Sequence, residues 1–222
     1  MKKLVIWDFD GVMADSEKVW LKNRQEGLNK LFGLNWSFDD VNRYLGGMSE
    51  KTKRQVLDNM GLITDDKFWE EQVLIDMEVM KRDGLDVTPG IEDVIKKLPM
   101  KQCIATGGIK KKTIVKLEVI DFWQKYFNEN NLFTADMVKN GKPEPDLFLL
   151  AAEKMGEKLE DCIVVEDSIA GLTATKKAGI DAIAFLGCNF YQNKDYISRV
   201  KNLGIKNICF NMREVEHILL DF

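Results

Sequence analysis

Acidic residues follow short apolar runs at two widely separated points of the chain. Leu4-Val5-Ile6-Trp7 runs into Asp8 and Asp10, with Gly11 next, and Val164-Val165 runs into Glu166-Asp167-Ser168. Two further stretches carry complementary groups: Thr106-Gly107-Gly108 after the run Cys103–Ala105, and Gly141-Lys142-Pro143 just upstream of Pro145. Gathering Asp8, Asp10, Glu166 and Asp167 in one place without compensation costs several kcal/mol in repulsion and desolvation. A bound cation or a retained proton relieves that cost. An oxygen-only donor set without histidine or thiolate favours a hard ion, and Mg²⁺ suits it because it keeps waters and shares its shell with phosphate. Lys142 adds a point positive charge, and the Thr106 hydroxyl and the amides around Gly107 and Gly108 add neutral donors. Such a collection is built for a dianion, and phosphate is the obvious one.

Two aspartates one residue apart permit divided labour. Asp8 ends a strand and is rigidly held, which suits a nucleophile toward phosphorus. Asp10, beside flexible Gly11, suits a proton donor and then acceptor. Each group alone has an ordinary explanation as a turn, a helix cap or a solvated lysine. Their ordered placement at strand ends is what points to a phosphate-handling site.

The elements that position these residues alternate. Strand-length apolar runs recur at Leu4–Trp7, Cys103–Ala105, Cys162–Val165, Ala182–Leu186 and Ile208–Phe210. Helical patterns lie between the later runs: one opening at Pro145 and stopped by Gly156, one from Ser168 to Ala178 closed by Gly179, and a weaker one from Asn193 to Asn202 ending at Gly204. Strand–helix alternation with short links predicts an α/β, doubly wound, mostly parallel sheet covered on both faces. In such sheets ligands bind beyond the carboxyl ends of the strands, where all four stretches fall. The stretch from Ser16 to Gly84 breaks the rhythm. It holds no convincing strand, and helix starts are marked by Ser16, by Ser37 with Asp40, by Ser49 and by Thr64, with stops at Gly33, Gly61 and Gly84. The expected organisation is a Rossmann-like core from residues 1–15 and 85–222 with an all-helical insertion at 16–84.

Composition sets the outer limits. The chain has 222 residues, 45% apolar and 31% charged, with only four prolines, which suits a globular protein and excludes a fibrous or disordered one. Thirty-two basic against 36 acidic residues give a net charge of −4, unsuited to general nucleic-acid binding. No apolar stretch reaches the roughly 20 residues that span a bilayer. Lys2-Lys3 and the apolar run after them resemble a signal peptide, but Asp8 and Asp10 interrupt it, so a cytoplasmic location is expected. Cys103, Cys162, Cys188 and Cys209 show no C-x-x-C pairing, and the first, second and fourth lie in or beside apolar runs as reduced buried thiols would.

The ordered motifs resemble those of the haloacid dehalogenase superfamily of phosphohydrolases, in the branch of β-phosphoglucomutases and sugar-phosphate phosphatases. Asp8-Phe9-Asp10-Gly11-Val12, Thr106, Lys142-Pro143 and Glu166-Asp167-Ser168 match its four motifs in order, supported by Asp15-Ser16-Glu17, Pro89-Gly90, Pro145-Asp146-Leu147-Phe148 and Ala170-Gly171. The resemblance implies an aspartyl-phosphate on Asp8 and general acid/base work by Asp10. It implies phosphate binding by Thr106, Gly107 and Lys142. It also implies Mg²⁺ held by Asp8, the main-chain carbonyl of Asp10 and Asp167, with Glu166 at or near the metal. The helical insertion becomes a cap that shapes the leaving-group pocket, with Ser16, Trp20, Gly47, Ser49 and Lys51 as candidate substrate contacts, Gly46-Gly47-Met48-Ser49 being similar to the specificity loop. A cis peptide at Lys142-Pro143 is a further expectation.

Two departures separate phosphatase from mutase. Mutases of this branch usually carry a histidine where this chain has Trp20, and basic residues where it has Gly46 and Glu50; the only histidine, His217, lies far along the chain. Hydrolysis of a small phosphorylated metabolite by a monomer, without nucleic acid or membrane, is the expected activity. The alternatives are a β-phosphoglucomutase-type phosphomutase and, remotely, a phosphoaccepting signalling module, whose shorter chain and motif order differ.

Overall fold

Strand β1, Leu4–Trp7, is apolar and buried at every position, the composition of a strand inside a sheet covered on both faces. The structure, a computed structural model, describes residues 2–46, 50–187 and 194–221, and the side chains of residues 50 and 51 fall outside that description. After β1 come the short β2, Ala14–Asp15, and four helices: α1, Glu17–Phe32; α2, Phe38–Leu45; α3, Glu50–Asn59; and α4, Asp66–Asp83. Then follow β3, Asp86–Val87; α5, Ile91–Lys97; β4, Lys101–Thr106; α6, Lys110–Val119; and β5, Leu132–Thr134. The chain ends with α7, Asp146–Met155; β6, Cys162–Glu166; α8, Ile169–Ala178; β7, Asp181–Phe185; α9, Lys194–Asn202; β8, Asn207–Cys209; and α10, Met212–Asp221.

Six strands form one sheet in the order β5-β4-β1-β6-β7-β8, every neighbouring pair parallel. The chain steps outward from β1 through β4 to β5, then returns to β6 on the other side of β1. The doubly wound α/β fold is therefore present, and its order reverses between β1 and β6, the position where such sheets open a crevice for ligands. On one face Leu4, Ile6, Cys103, Ala105 and Val164 pack with Leu147, Phe148 and Ala151 of α7. The alternate residues Val5, Trp7, Ile104, Ile163 and Val165 are buried as well, so both faces are covered. Cys103, Cys162 and Cys209 are buried free thiols; Cys188 lies outside the described residues.

The chain divides into two compact units, Met1–Asp15 with Asp86–Phe222, and Ser16–Leu85. In the second unit the start of α2 carries the capping box its sequence announces: Ser37 Oγ accepts from the Asp40 amide (3.2 Å) and Asp40 Oδ2 accepts from the Ser37 amide (2.9 Å). Ser16 caps α1 by position without a side-chain cap bond. Helix α4 starts one residue later than Thr64 marks. Asp65 is its cap, accepting from the Phe68 amide (2.8 Å), while the Thr64 hydroxyl takes the Trp69 indole N–H (2.9 Å). Pro145 stands at the cap of α7 rather than in its first turn. Strands β2, β3 and β5 have no counterpart among the predicted runs, because two or three residues are too few for a period to register.

The interior of this unit holds a charged pair. Arg24 Nη1 and Nη2 donate to Asp76 Oδ1 and Oδ2 (3.2 and 3.1 Å), Asn23 adds a bond to Asp76 (2.8 Å) and Gln72 accepts from Arg24 (3.2 Å), all buried. Removing one member leaves an uncompensated charge away from water. Asp76→Ala is accordingly expected to lower unfolding free energy by about 3–5 kcal/mol, measured by urea denaturation; a loss below about 1 kcal/mol, the range of an exposed pair, contradicts this account.

Candidate active site

The register of the sheet delivers the site. Trp7 stands level with Ile104 on β4 and Val165 on β6, so Asp8, Thr106 and Glu166 leave the sheet at the same carboxyl edge. The Asp8 amide donates to the Val165 carbonyl (2.9 Å), carrying the ladder one step past the strand and fixing where the side chain starts. Asp8, Glu166 and Asp167 are all buried and each offers an oxygen within 4.8 Å of the others. Lys142 bridges two of them, donating to Asp8 Oδ1 and Glu166 Oε2, both at 2.6 Å. The Lys142-Pro143 peptide is cis.

Two glycines make room for this crowding. Gly11 sits at φ +79°, and a Cβ there would fall 2.0 Å from Asp167 Oδ2; a Cβ on Gly171 would fall 2.0 Å from Glu166 Oε2. The acidic loop is also braced from within. Glu166 Oε1 accepts from the Ser168 amide (2.9 Å) and hydroxyl (2.7 Å), and Ser168 Oγ, the cap of α8, accepts from the Gly171 amide (3.0 Å). Across the sheet edge the Gly108 amide donates to Thr106 Oγ1 (3.3 Å), and α6 begins two residues later.

Burial, reinforced by Glu166, raises Asp8 to about 7 against the pull of Lys142. Asp167 is pushed well above the usual carboxylate range by burial and then by Glu166 and Asp8. Burial works against the Lys142 ammonium, but Asp8 and Glu166 outweigh it and hold its pKa above the normal lysine value. With all three acids ionised, one ammonium leaves an excess of buried negative charge. That excess, together with a donor set made only of oxygens, fits a hard divalent cation.

Asp10 does not join the cluster. The sequence reading gathers four carboxylates, whereas the Asp10 side chain pairs with Lys116 of α6, whose ammonium is 4% exposed. The buried Lys116 ammonium on α6 requires a counter-charge, which Asp10 supplies; Asp10 still raises Asp8 through space. The sequence reading assigns Lys116 no role. The available signal was spacing: Thr113, Lys116, Leu117 and Ile120 share one stripe, and all four are buried.

Of the candidate substrate contacts, Gly47 and Ser49 lie outside the described residues, as does the side chain of Lys51. Ser16 is buried and Trp20 half-buried within the second unit. The indole of Trp20 has Lys53 Nζ 3.6 Å from its centroid and the Arg24 guanidinium at 5.0 Å. His217 is exposed on α10, 3.4 Å from Asp221.

The sequence matches the description "haloacid dehalogenase-like hydrolase" over residues 5–185. The chain belongs to that family. It is similar to the phosphorylated carbohydrates phosphatase of Thermotoga maritima, 29% identical over 188 residues, with 81% of this chain and 82% of that protein covered. It is equally similar to the β-phosphoglucomutase of Bacillus subtilis, 29% identical over 197 residues with 82% of each covered. Among solved structures, a conserved haloacid dehalogenase-like protein of unknown function from Agrobacterium tumefaciens superposes with a TM-score of 0.81 at 22% identity, covering 100% of this chain and 99% of that one. That likeness carries the fold. Family and relatives together make the chain a phosphoric monoester hydrolase. Among the described residues no helix is long and apolar enough to cross a membrane.

The raised acids have a cost that depends on pH. Between the unfolded value near 3.8 and about 7, Asp8 keeps its proton only when folded, so the unfolded chain binds fewer protons and stability falls as pH rises. In divalent-free buffer the melting temperature is therefore expected to fall between about pH 4 and pH 7, and Asp8→Asn is expected to flatten that slope and raise the melting temperature near neutrality by several degrees. A steeper slope in Asp8→Asn, read by thermal denaturation across pH, refutes the assignment.

Proposed function

We propose that the chain is a Mg²⁺-dependent phosphatase that hydrolyses a small phosphorylated sugar or sugar acid through an aspartyl-phosphate on Asp8. The observation that carries this reading is the buried triangle of Asp8, Glu166 and Asp167, with Lys142 bridging the first two, at the point where the strand order reverses. In this reading the metal is held by Asp8, the main-chain carbonyl of Asp10 and Asp167, with Glu166 beside it. When bound, the ion neutralises the gathered carboxylates and the oxygens of the phosphoryl group.

The residues then divide the work. The Asp8 carboxylate attacks phosphorus, the bond from phosphorus to the ester oxygen breaks, and Asp10 gives the departing oxygen its proton. For this Asp10 turns from Lys116 toward the ester oxygen. Water next attacks the phosphorus of the aspartyl-phosphate and yields a proton to Asp10. The bond to Asp8 breaks, inorganic phosphate leaves, and both aspartates are restored. Lys142, the Thr106 hydroxyl and the Gly107 amide donate to the phosphoryl oxygens. The helical unit takes the role of cap, selecting the leaving group through Ser16, Trp20, Gly47, Ser49 and Lys51. The buried free thiols support a reducing, cytoplasmic setting, and the enzyme is taken to act as a monomer.

A phosphomutase is the second reading, since a β-phosphoglucomutase is as similar in sequence as a phosphatase. Trp20 favours hydrolysis. An indole carries no exchangeable acid or base near neutral pH, and its ring already accommodates Lys53 and Arg24.

Phosphate release from p-nitrophenyl phosphate and a panel of hexose phosphates tests the proposal. Release is expected to need a divalent cation, to vanish in Asp8→Asn, and to fall by about 10²- to 10⁴-fold in Asp10→Asn. Interconversion of hexose 1- and 6-phosphates with little phosphate released establishes the mutase instead, and near-normal rates in either variant overturn the assigned roles.

A further inference from the structure

A half-hidden phenol stands behind the acidic loop. Tyr196, on α9, donates its hydroxyl proton to the main-chain carbonyl of Asp167 (2.8 Å) and accepts from the amide of Ile169 (3.0 Å). These two groups flank Ser168, so one oxygen staples both peptide units on either side of the α8 cap. Within the loop the Asp167 and Ser168 amides go to Glu166 and the Gly171 amide goes to Ser168, while Lys142 reaches the Glu166 side chain from outside. Tyr196 reaches in from 27 and 29 residues away. Its own helix is anchored by Val200, which packs in a cluster with Leu172, Ala184 and Leu186, with Tyr196 and Ile197 against it.

The placement matters because Asp167 has no slack. Its carboxylate occupies the space that a side chain at position 11 would fill and lies within 4.8 Å of oxygens of Asp8 and Glu166, so the orientation of its peptide sets where its carboxylate oxygens stand. A phenol hydroxyl both donates and accepts, so one oxygen serves both bonds.

We infer that Tyr196 is a positioning residue for the divalent cation, setting the Asp167 carboxylate through the backbone of the loop. The inference rests on the reading of Asp8 and Asp167 as metal ligands given above. Groups that orient ligands in this way govern metal affinity by about 10- to 100-fold.

Calorimetric titration of the full chain with MgCl₂, alongside thermal melts in divalent-free buffer, tests it with three variants. Tyr196→Phe removes one oxygen and keeps the ring; it is expected to bind Mg²⁺ at least about tenfold more weakly than the wild type. Val200→Ala loosens the same helix without touching the loop. It is expected to melt at a lower temperature yet bind Mg²⁺ as the wild type does. Unchanged affinity in Tyr196→Phe overturns the inference and leaves the metal site standing. Equal weakening in both variants overturns it too, since general loosening of α9 then accounts for the effect. Binding absent from the wild type, or undiminished in Asp167→Asn, overturns the metal site itself and the inference with it.

Discussion

Three carboxylates withdrawn from water gather at the end of β1 and β6, two of them paired with the same lysine, and much else in the molecule answers to that imbalance. The two central strands are wholly buried, which keeps the acids in fixed register but denies them solvent. Gly11 and Gly171 are required because oxygens occupy the volume their side chains would fill. The Asp167 amide and the Ser168 amide and hydroxyl turn toward Glu166, spending polar groups that could otherwise have met water. The site is therefore under electrostatic tension at rest, and whatever positive charge enters it acts on a framework already shaped to receive it.

The same economy explains why the second acid of the first motif lies apart. Asp10 satisfies Lys116, a buried ammonium on α6, and so spares the central cluster a fourth negative charge. Two ion pairs thus meet at the edge of β1. Lys142 is shared within the cluster, while Lys116 holds Asp10 to its side. The unequal environments of Asp8 and Asp10 are set by these two lysines, Lys116 on α6 and Lys142 in the turn just before α7.

The sequence made the central strands and the acid positions legible because each depends on a short, contiguous signal. Leu4–Trp7 and Cys162–Val165 are unbroken apolar runs, and polar groups directly after such runs in a parallel sheet have one edge to go to. Glycine stops at 33, 156 and 179 were readable for a similar reason, since the left-handed cap conformation favours glycine. What escaped depends on distant partners. Leu132–Thr134 is a strand because β4 lies beside it, not because three residues declare a period. Lys116 is buried because Asp10 is there to receive it, and Tyr196 meets the acidic loop only through the packing of α9.

Strands β2 and β3 contribute just two residues each, pairing Ala14 with Val87 and Asp15 with Asp86. That small ladder brings the entrance and exit of residues 16–85 side by side before any helix of the insertion is considered. The entropy of closing a long excursion is then borne by a clasp belonging to the sheet-bearing unit, and it grows only slowly with the length of what is inserted. An excursion tethered this way can be lengthened, shortened or exchanged over evolutionary time while the register of Asp8 with its neighbours is left alone.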